Sequence, residues 1–207
     1  MESSNRIWTE LTEQYPALWE CISEIKAVGN ELCHCYDDGK KVLVCGNGGS
    51  AADSEHIVGE LMKEFYIRRP LKQEEKDLFK NMGEDGETLA EHLQGALPAI
   101  TLTGAIALST AYANDAVPEM VFAQQVWGYG QKGDLLLAIS TSGSSTNICY
   151  AIETAKAKKL RVVGLTGKTG GRMKELCDAC ICVPETVTYR IQEYHLPIYH
   201  ALCRAVE

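Results

Sequence analysis

The feature that most constrains the fold is an alternation of short, continuously apolar runs with segments of helical periodicity. Apolar runs occupy residues 41–45, 97–102, 134–139, 161–166 and 179–183. Helical patterns occupy residues 51–65, 105–113, 118–128, 146–159, 170–176 and 186–206. Strands that are apolar throughout and alternate with helices are typical of a parallel sheet covered on both faces. The sequence therefore predicts a three-layer α/β fold in which a five-stranded parallel sheet is flanked by helices.

Residues 1–38 precede the first predicted strand and are predicted to form an N-terminal helical arm. Apolar residues recur at helical spacing from Ile7 to Leu32, and Pro16 indicates either two helices or one bent helix. This stripe has no obvious place in a five-stranded core, and an apolar stripe of this kind usually seeks a partner. We therefore expect the arm to serve oligomerisation. The alternative is that it folds back over its own sheet.

The chain is expected to form one domain. No internal repeat, low-complexity tract or linker divides residues 1–207, and this length is sufficient for one α/β domain with its own core. Residues 66–95 stand apart as a charged insertion with weaker periodicity. Within the insertion, residues 74–82 and 87–93 are predicted as short surface helices.

Composition excludes several classes of partner. The formal net charge is −8 and no cluster of Lys and Arg forms a basic face, so no nucleic acid is expected to bind. No apolar run approaches the ~18 residues that span a bilayer. The polar start of the sequence lacks the apolar core of a signal peptide. We therefore expect a cytoplasmic protein that does not enter a membrane.

Nine cysteines invite a disulfide or a metal interpretation. Their number is odd, and the CxxC formed by Cys177 and Cys180 has no second CxxC to complete a zinc site. Reduced, buried thiols in a cytosolic protein are therefore the favoured interpretation.

Two loops follow predicted strands and precede predicted helices in the same way. The glycine loop, residues 46–50, reads Gly-Asn-Gly-Gly-Ser, and the serine loop, residues 140–145, reads Ser-Thr-Ser-Gly-Ser-Ser. Glycines let the backbone approach an anion, hydroxyls add donors, and a helix N-terminus favours negative charge. Tight turns with serine N-caps are the alternative. Two such loops in one small sheet favour a phosphate site, and neither matches a dinucleotide fingerprint or a P-loop.

Polar side chains also recur on two predicted helices. His56 and Glu60 are four residues apart and share one helix face, which suits a divalent metal or an acid/base pair. An exposed surface pair is the alternative. A second polar set interrupts the apolar last helix and consists of Gln192, Glu193, His195 and His200. The alternative to a functional role for this set is a subunit interface or a solvated face.

Taken together, these segments resemble the SIS (sugar isomerase) domain family and, within it, the phosphoheptose isomerases. The match runs in family order from about residue 40 to the end of the sequence. The matching segments are residues 45–53, His56 with Glu60, 97–100, 114–115, 121–125, 139–145, 164–167, and 190–195 with His200. The resemblance implies a flavodoxin-like arrangement of the sheet.

The resemblance also implies a role for individual residues. Substrate contacts are implied for Asn47, Gly48, Gly49, Ser50, Glu60, Asn114, Asp115, Ser140, Thr141, Ser142, Ser145 and Gln192. Zinc, one ion per subunit, is implied to be bound by His56, Glu60, Gln192 and His200. Glu60 and His200 are the implied acid/base residues. A homotetramer with active sites between subunits is the implied assembly.

The activity implied by the resemblance is the conversion of sedoheptulose 7-phosphate to glycero-manno-heptose 7-phosphate through an enediol. Isomerisation of another phosphosugar is one alternative. A non-catalytic SIS regulator, like the protein that associates with the DnaA initiator, is the other. Such regulators tend to lose the metal and acid/base residues, whereas His56, Glu60 and His200 are present here.

Three features depart from a simple transfer of these roles. Gln192 and His200 are eight residues apart, about 12 Å along an ideal helix. Either the helix is irregular or a neighbouring subunit supplies one zinc ligand. Tyr189 stands where some phosphoheptose isomerases have a small or acidic residue facing the substrate, and the insertion at residues 66–95 is longer than the usual link.

Overall fold

The computed structural model describes residues 2–207, with side chains from Asn5 onward. Met1, the first residue of the predicted arm, lies outside the described residues. The strands are β1 Val42–Gly46, β2 Ala99–Thr101, β3 Leu135–Ser140, β4 Arg161–Thr166 and β5 Ala179–Cys182. The helices are α1 Glu2–Gln14, α2 Ile22–Asp37, α3 Gly49–Met62, α4 Gln73–Lys76, α5 Gly83–His92, α6 Ile106–Asp115, α7 Val121–Tyr129, α8 Thr146–Ala157, α9 Met173–Leu176 and α10 Thr188–Val206.

The five strands form one sheet in the order β2-β1-β3-β4-β5, and every pairing in it is parallel. This is the flavodoxin-like order, whose direction of winding reverses between β1 and β3. All side chains of β1 and β3 are buried, which explains why their sequences are apolar without alternation. The predicted five-stranded parallel sheet is confirmed.

Helices cover both faces of the sheet and produce two hydrophobic cores. Odd-numbered residues of β3, such as Leu135 and Leu137, belong to the core beneath α1, α2, α3 and α10. Even-numbered residues, such as Leu136 and Ala138, belong to the core beneath α7, α8 and α9. The alternation follows from the period of two along a strand. The predicted three-layer architecture is therefore confirmed.

The N-terminal arm does not stand apart from the molecule. Its apolar stripe, including Trp8, Leu18, Ile25 and Leu32, is buried in the core that also contains β3 and α10. Helix α1 packs on α10, and Gly29 of α2 lies against the Trp8 ring. The expectation that the stripe lacks a place in its own core was therefore wrong, since the arm folds back over its own chain; its role in oligomerisation stays a prediction. The reason is that α2 and α10 leave a groove that α1 fills.

The bend predicted at Pro16 is present. A 3₁₀-helix, Pro16–Cys21, separates α1 from α2, and Pro16 occupies its first turn, where the missing N–H costs nothing.

Local differences from the predicted helices have identifiable causes. Residues 170–176 form a helix only at Met173–Leu176, because Gly170 and Gly171 adopt the left-handed φ values of 72° and 51°. In the insertion, the predicted helix at 74–82 is reduced to α4 and a 3₁₀ turn, Asp77–Phe79. Neither piece buries a side chain, so no packing supports a longer helix.

The insertion is anchored at its two ends. Pro70 and Gln94 form an isolated antiparallel bridge, and the Gly95 N–H donates to the Arg69 carbonyl. Between these ends the insertion exposes Leu78 and Met82 to solvent. Among the described residues, no helix is both long and apolar enough to cross a membrane.

Candidate active site

The glycine loop connects β1 to α3 through a turn that only glycine fits easily. Gly48 has φ +56° and ψ −119°, a conformation that L side chains rarely adopt. A Cβ at Gly49 would lie 2.5 Å from the side-chain nitrogen of Gln192, so the close approach of α10 requires glycine there. Helix α3 begins at Gly49, two residues earlier than predicted, and its N-terminus therefore points into the loop.

The serine loop connects β3 to α8 and presents its hydroxyls to a common centre. The Ser140 hydroxyl lies 3.1 Å from that of Ser145 and 3.4 Å from that of Ser142. The Ser142 hydroxyl also accepts from the N–H of Ser144, at 3.2 Å. The N-terminus of α8 follows directly, so the hydroxyls and the helix dipole favour the same anion.

The two loops share one open cavity of about 250 Å³. It lies at the carboxyl ends of β1 and β3, where the winding of the sheet reverses and where open α/β sheets bind ligands. The lining residues are Asn47, Gly48, Gly49, Ser50, Ile139, Ser140, Thr141, Ser145, Thr188 and Gln192. The structure thus brings together seven of the predicted substrate residues on the loops, and Gln192 from the last helix.

Asn147 is a member of this site that the sequence did not reveal. Its side-chain amide pairs reciprocally with that of Asn47, with N···O distances of 2.9 and 2.8 Å. This pair ties the glycine loop to the first turn of α8 and fixes the orientation of the Asn47 amide. Thr188 was also missed, although it lies one turn before Gln192 on the same helix.

Four predicted substrate residues do not line this cavity: Ser142, Glu60, Asn114 and Asp115. Asn114 and Asp115 are at the exposed end of α6, where the Asn114 amide donates to the Asp115 carboxylate at 2.8 Å. Neither lines the cavity between the loops. Their substrate role therefore stays a prediction, and within one chain this structure does not bring them to the loops.

A second polar cluster joins α3 to α10. His56 Nε2 lies 3.2 Å from a carboxylate oxygen of Glu60, whose other oxygen lies 3.0 Å from the Lys63 ammonium. The ring of His200 packs edge-on against that of His56, with centroids 5.0 Å apart. Burial lowers the pKa of His200, and the neighbouring His56 lowers it further, so His200 is neutral near pH 7. The two predicted acid/base residues are therefore close together.

Tyr199 and Asp53 form a hydrogen-bonded chain that ends at Nδ1 of His56. The Tyr199 hydroxyl lies 3.0 Å from His56 Nδ1 and 3.3 Å from an Asp53 oxygen. This bond orients the imidazole so that Nε2 faces Glu60. Burial raises the pKa of Asp53, whereas the hydrogen bond from Tyr199 opposes that shift. Asp53 lies three residues before His56 on the face of α3 that also carries Glu60, and this spacing is the signal that sequence reasoning left unused.

The predicted zinc ligands are only partly assembled. His56, Glu60 and His200 supply nitrogen and carboxylate donors of the type zinc prefers, and His200 Nε2 is buried without a hydrogen-bond partner. Gln192, by contrast, lies against the glycine loop. Within residues 2–207, no three His, Cys, Asp or Glu side chains are arranged to hold a metal ion. The donors therefore fit zinc in kind, but one chain arranges neither the four predicted ligands nor the three His and Glu ligands among them around an ion.

His195 has a structural rather than a surface position. It is fully buried beside Thr166 of β4, and burial lowers its pKa to about 4. The ring is therefore neutral at physiological pH, and the interpretation of this residue as part of a solvated face is wrong. Glu193, two residues earlier, is exposed as that interpretation expected.

Comparison with known proteins agrees with this geometry. The family model described as SIS domain matches residues 10–83 and 84–167. The phosphoheptose isomerase of Aneurinibacillus thermoaerophilus is 40% identical over 91% of this chain and 82% of its own length. Phosphoheptose isomerase 2 of Campylobacter jejuni is 42% identical over 90% of this chain and 80% of its own length.

A solved structure gives the same result for the fold. The phosphoheptose isomerase of Neisseria gonorrhoeae superposes with a TM-score of 0.73 at 30% identity and covers 98% of each chain. The family-model match covers both loops and α3, and the superposition covers 98% of the chain. The chain belongs to the SIS domain family, and within it to the phosphoheptose isomerases.

Proposed function

We propose that this isomerase converts sedoheptulose 7-phosphate to glycero-manno-heptose 7-phosphate through an enediol. The observation that carries the proposal is the cavity in which the serine loop and the glycine loop meet at the reversal point of the sheet. A cavity lined by hydroxyls and helix N-termini suits the phosphate of a sugar. The relatives named above are phosphoheptose isomerases, which supports a heptose as that sugar.

Binding is assigned to the loops. The phosphate takes the place between Ser140, Thr141 and Ser145, where hydroxyl and backbone donors converge. The sugar then extends along the glycine loop toward Asn47 and Gln192, whose amides donate to or accept from its hydroxyls. The reciprocal Asn47–Asn147 bond holds the first of these amides in place before substrate arrives.

Proton transfer is assigned to Glu60 and His200. The Glu60 carboxylate takes the proton from C1 of the ketose and returns it to C2. His200 moves a proton between the two oxygens through the ring nitrogen that is not assigned to zinc. His56 holds the Glu60 carboxylate, and Tyr199 holds His56.

Zinc is proposed as the cofactor, one ion per subunit, with His56, Glu60 and His200 as ligands. Support comes from their donor types and from the unpartnered, buried Nε2 of His200. When bound, the ion supplies Lewis acidity that polarises the sugar carbonyl. Gln192 joins this set only if it comes from another subunit, because on its own chain it lies at the glycine loop.

A homotetramer with sites between subunits is proposed as the assembly. Support comes from the separation of the two clusters in one chain. His200 lines a different cavity of about 330 Å³, between α1 and α10, which shares no residue with the cavity of the loops. In this proposal the phosphate cavity of one subunit faces His56, Glu60 and His200 of its neighbour. The cytoplasm is the proposed location.

Purified protein is predicted to convert sedoheptulose 7-phosphate to an aldose. The conversion can be monitored by ¹H NMR. Removal of bound metal with a chelator should abolish turnover, and added zinc should restore it, because the carbonyl is no longer polarised in the apoprotein. If the protein turned over another phosphosugar but not sedoheptulose 7-phosphate, that other sugar would be the substrate. No turnover of any phosphosugar with zinc supplied would favour the binding-protein alternative.

The double variant Ser142→Ala with Ser145→Ala is predicted to raise KM for the phosphosugar by at least about tenfold, because hydrogen bonds to a charged group are lost. Steady-state kinetics would measure the change. Ser144→Ala is the matched control. Neither Ser142 nor Ser144 lines the cavity itself, but the Ser142 hydroxyl lies 3.4 Å from that of Ser140, whereas the Ser144 hydroxyl accepts from the N–H of Arg172. Equal KM values for the double variant and the wild type would remove the serine loop from the phosphate site.

Glu60→Gln and His200→Asn are each predicted to lower kcat by about 10² to 10⁴, the range typical for loss of a general acid or base. Glu60→Gln keeps the size of the side chain but removes the basic carboxylate. Glu193→Gln on the exposed face of α10 is the control and should change kcat far less. Near-normal kcat in both site variants, on a confirmed substrate, would show that other groups transfer the proton.

A further inference from the structure

Glu207 is a buried carboxylate outside the residues assigned so far. Its side chain is 1% exposed, and its two oxygens accept from the backbone N–H groups of three consecutive residues. The N···O distances are 3.0 Å to Phe65, 2.8 Å to Tyr66 and 3.1 Å to Ile67. A charge can be buried to this extent only where donors compensate it, so the three amides and the carboxylate depend on one another.

Arg69 completes the compensation and extends it to α3. Its Nε lies 3.1 Å from a Glu207 oxygen, an ion pair without hydrogen-bond geometry, and its side chain is 14% exposed. The other end of the guanidinium donates to the carbonyls of Leu61, at 3.0 and 3.1 Å, and of Glu60, at 3.2 Å. The last carbonyls of a helix lack partners within the helix, and a cation is favoured at that end. Arg69 therefore fixes the last turn of α3, which carries Glu60.

The segment held by Glu207 also reaches His200. The Phe65 ring packs on the His200 ring, with centroids 5.5 Å apart and planes tilted by 39°. The next residue, Tyr66, lies under the guanidinium of Arg204 from α10, 4.3 Å from its ring centroid. Residues 65–67 are thus held by Glu207 through their backbone N–H groups. The rings of Phe65 and Tyr66 pack against His200 and Arg204 of α10.

We propose that Glu207 and Arg69 are positioning residues for the isomerisation, which hold Glu60 and His200 in their relative orientation. This inference rests on the proposed function. One buried carboxylate acts on both catalytic groups: on Glu60 through Arg69 and on His200 through Phe65. Neither Glu207 nor Arg69 lines the cavity of the loops, so their contribution falls on the proton-transfer step and not on phosphate binding.

Glu207→Gln tests the proposal, since it keeps the side-chain size but removes the charge and places an NH₂ group against backbone donors. We expect kcat to fall between about tenfold and a hundredfold while KM changes little, because misplaced catalytic groups slow the chemical step without weakening the phosphate contacts. Hydrogen exchange at the amides of Phe65, Tyr66 and Ile67 should accelerate. Glu193→Gln is the matched control, with unchanged exchange in this segment.

Arg69→Lys provides the second variant and the distinguishing readout. It keeps the positive charge beside Glu207 but loses the guanidinium hydrogen bonds to the carbonyls of Glu60 and Leu61. We expect kcat to fall with KM retained, while the amides of residues 65–67 stay protected. If Glu207→Gln fails to fold, the kcat of Arg69→Lys alone tests the positioning role.

Normal kcat in folded Glu207→Gln despite faster exchange, or normal kcat in Arg69→Lys, would overturn the positioning role. A rise in KM matching the fall in kcat/KM would also overturn it. Failure of the proposed function itself is recognised separately, because then the wild type turns over no phosphosugar.

Discussion

The site depends on the pairing of β1 with β3, two strands that are about ninety residues apart in the sequence. Their parallel register places Gly46 opposite Ile139, so the glycine loop and the serine loop leave the sheet side by side. Both strands are fully buried, and their apolar side chains alternate between the two cores. A slip of one residue would exchange the two faces of the strand, so the cores enforce the register. The geometry of the phosphate cavity is therefore a consequence of hydrophobic packing below it.

The second part of the site depends on buried polar contacts instead. Asp53, Tyr199 and His56 form a chain of hydrogen bonds that leads to Glu60, while Glu207 and Arg69 hold the end of the same helix. Polar groups in such networks lose their bound water on folding. The free energy of that desolvation is recovered only if every hydrogen-bond partner is in place. The two parts thus differ in origin. The cavity proposed to bind phosphate follows from strand register, and the cluster proposed to transfer protons follows from contacts between α3, α10 and residues 63–69.

The sequence predicted the features that depend on local pattern. The five strands, both loops and the shared helix face of His56 and Glu60 follow from apolar runs, glycines and helical spacing. The grouping of His200 with that pair was implied only by the family resemblance. The sequence did not predict the contacts made between distant segments, such as Asn47 with Asn147 or Glu207 with Phe65. The arm was misjudged for the same reason, because the groove that receives Trp8 and Leu11 exists only once α2 and α10 have packed. The placement of Gln192 away from His200 follows the helical rise, as the eight-residue spacing indicated.

The proposed assembly draws phosphate binding and proton transfer at one site from different subunits. Its most direct test mixes two differently tagged subunits, one with Ser142→Ala and Ser145→Ala and the other with Glu60→Gln. Activity is measured on purified mixed oligomers at a substrate concentration below the KM of the serine-loop variant. Random assembly gives about a quarter of the sites two intact parts, so activity should return to roughly that fraction of the wild type. Mixed oligomers no more active than either parent would contradict the account and place the complete site within one chain.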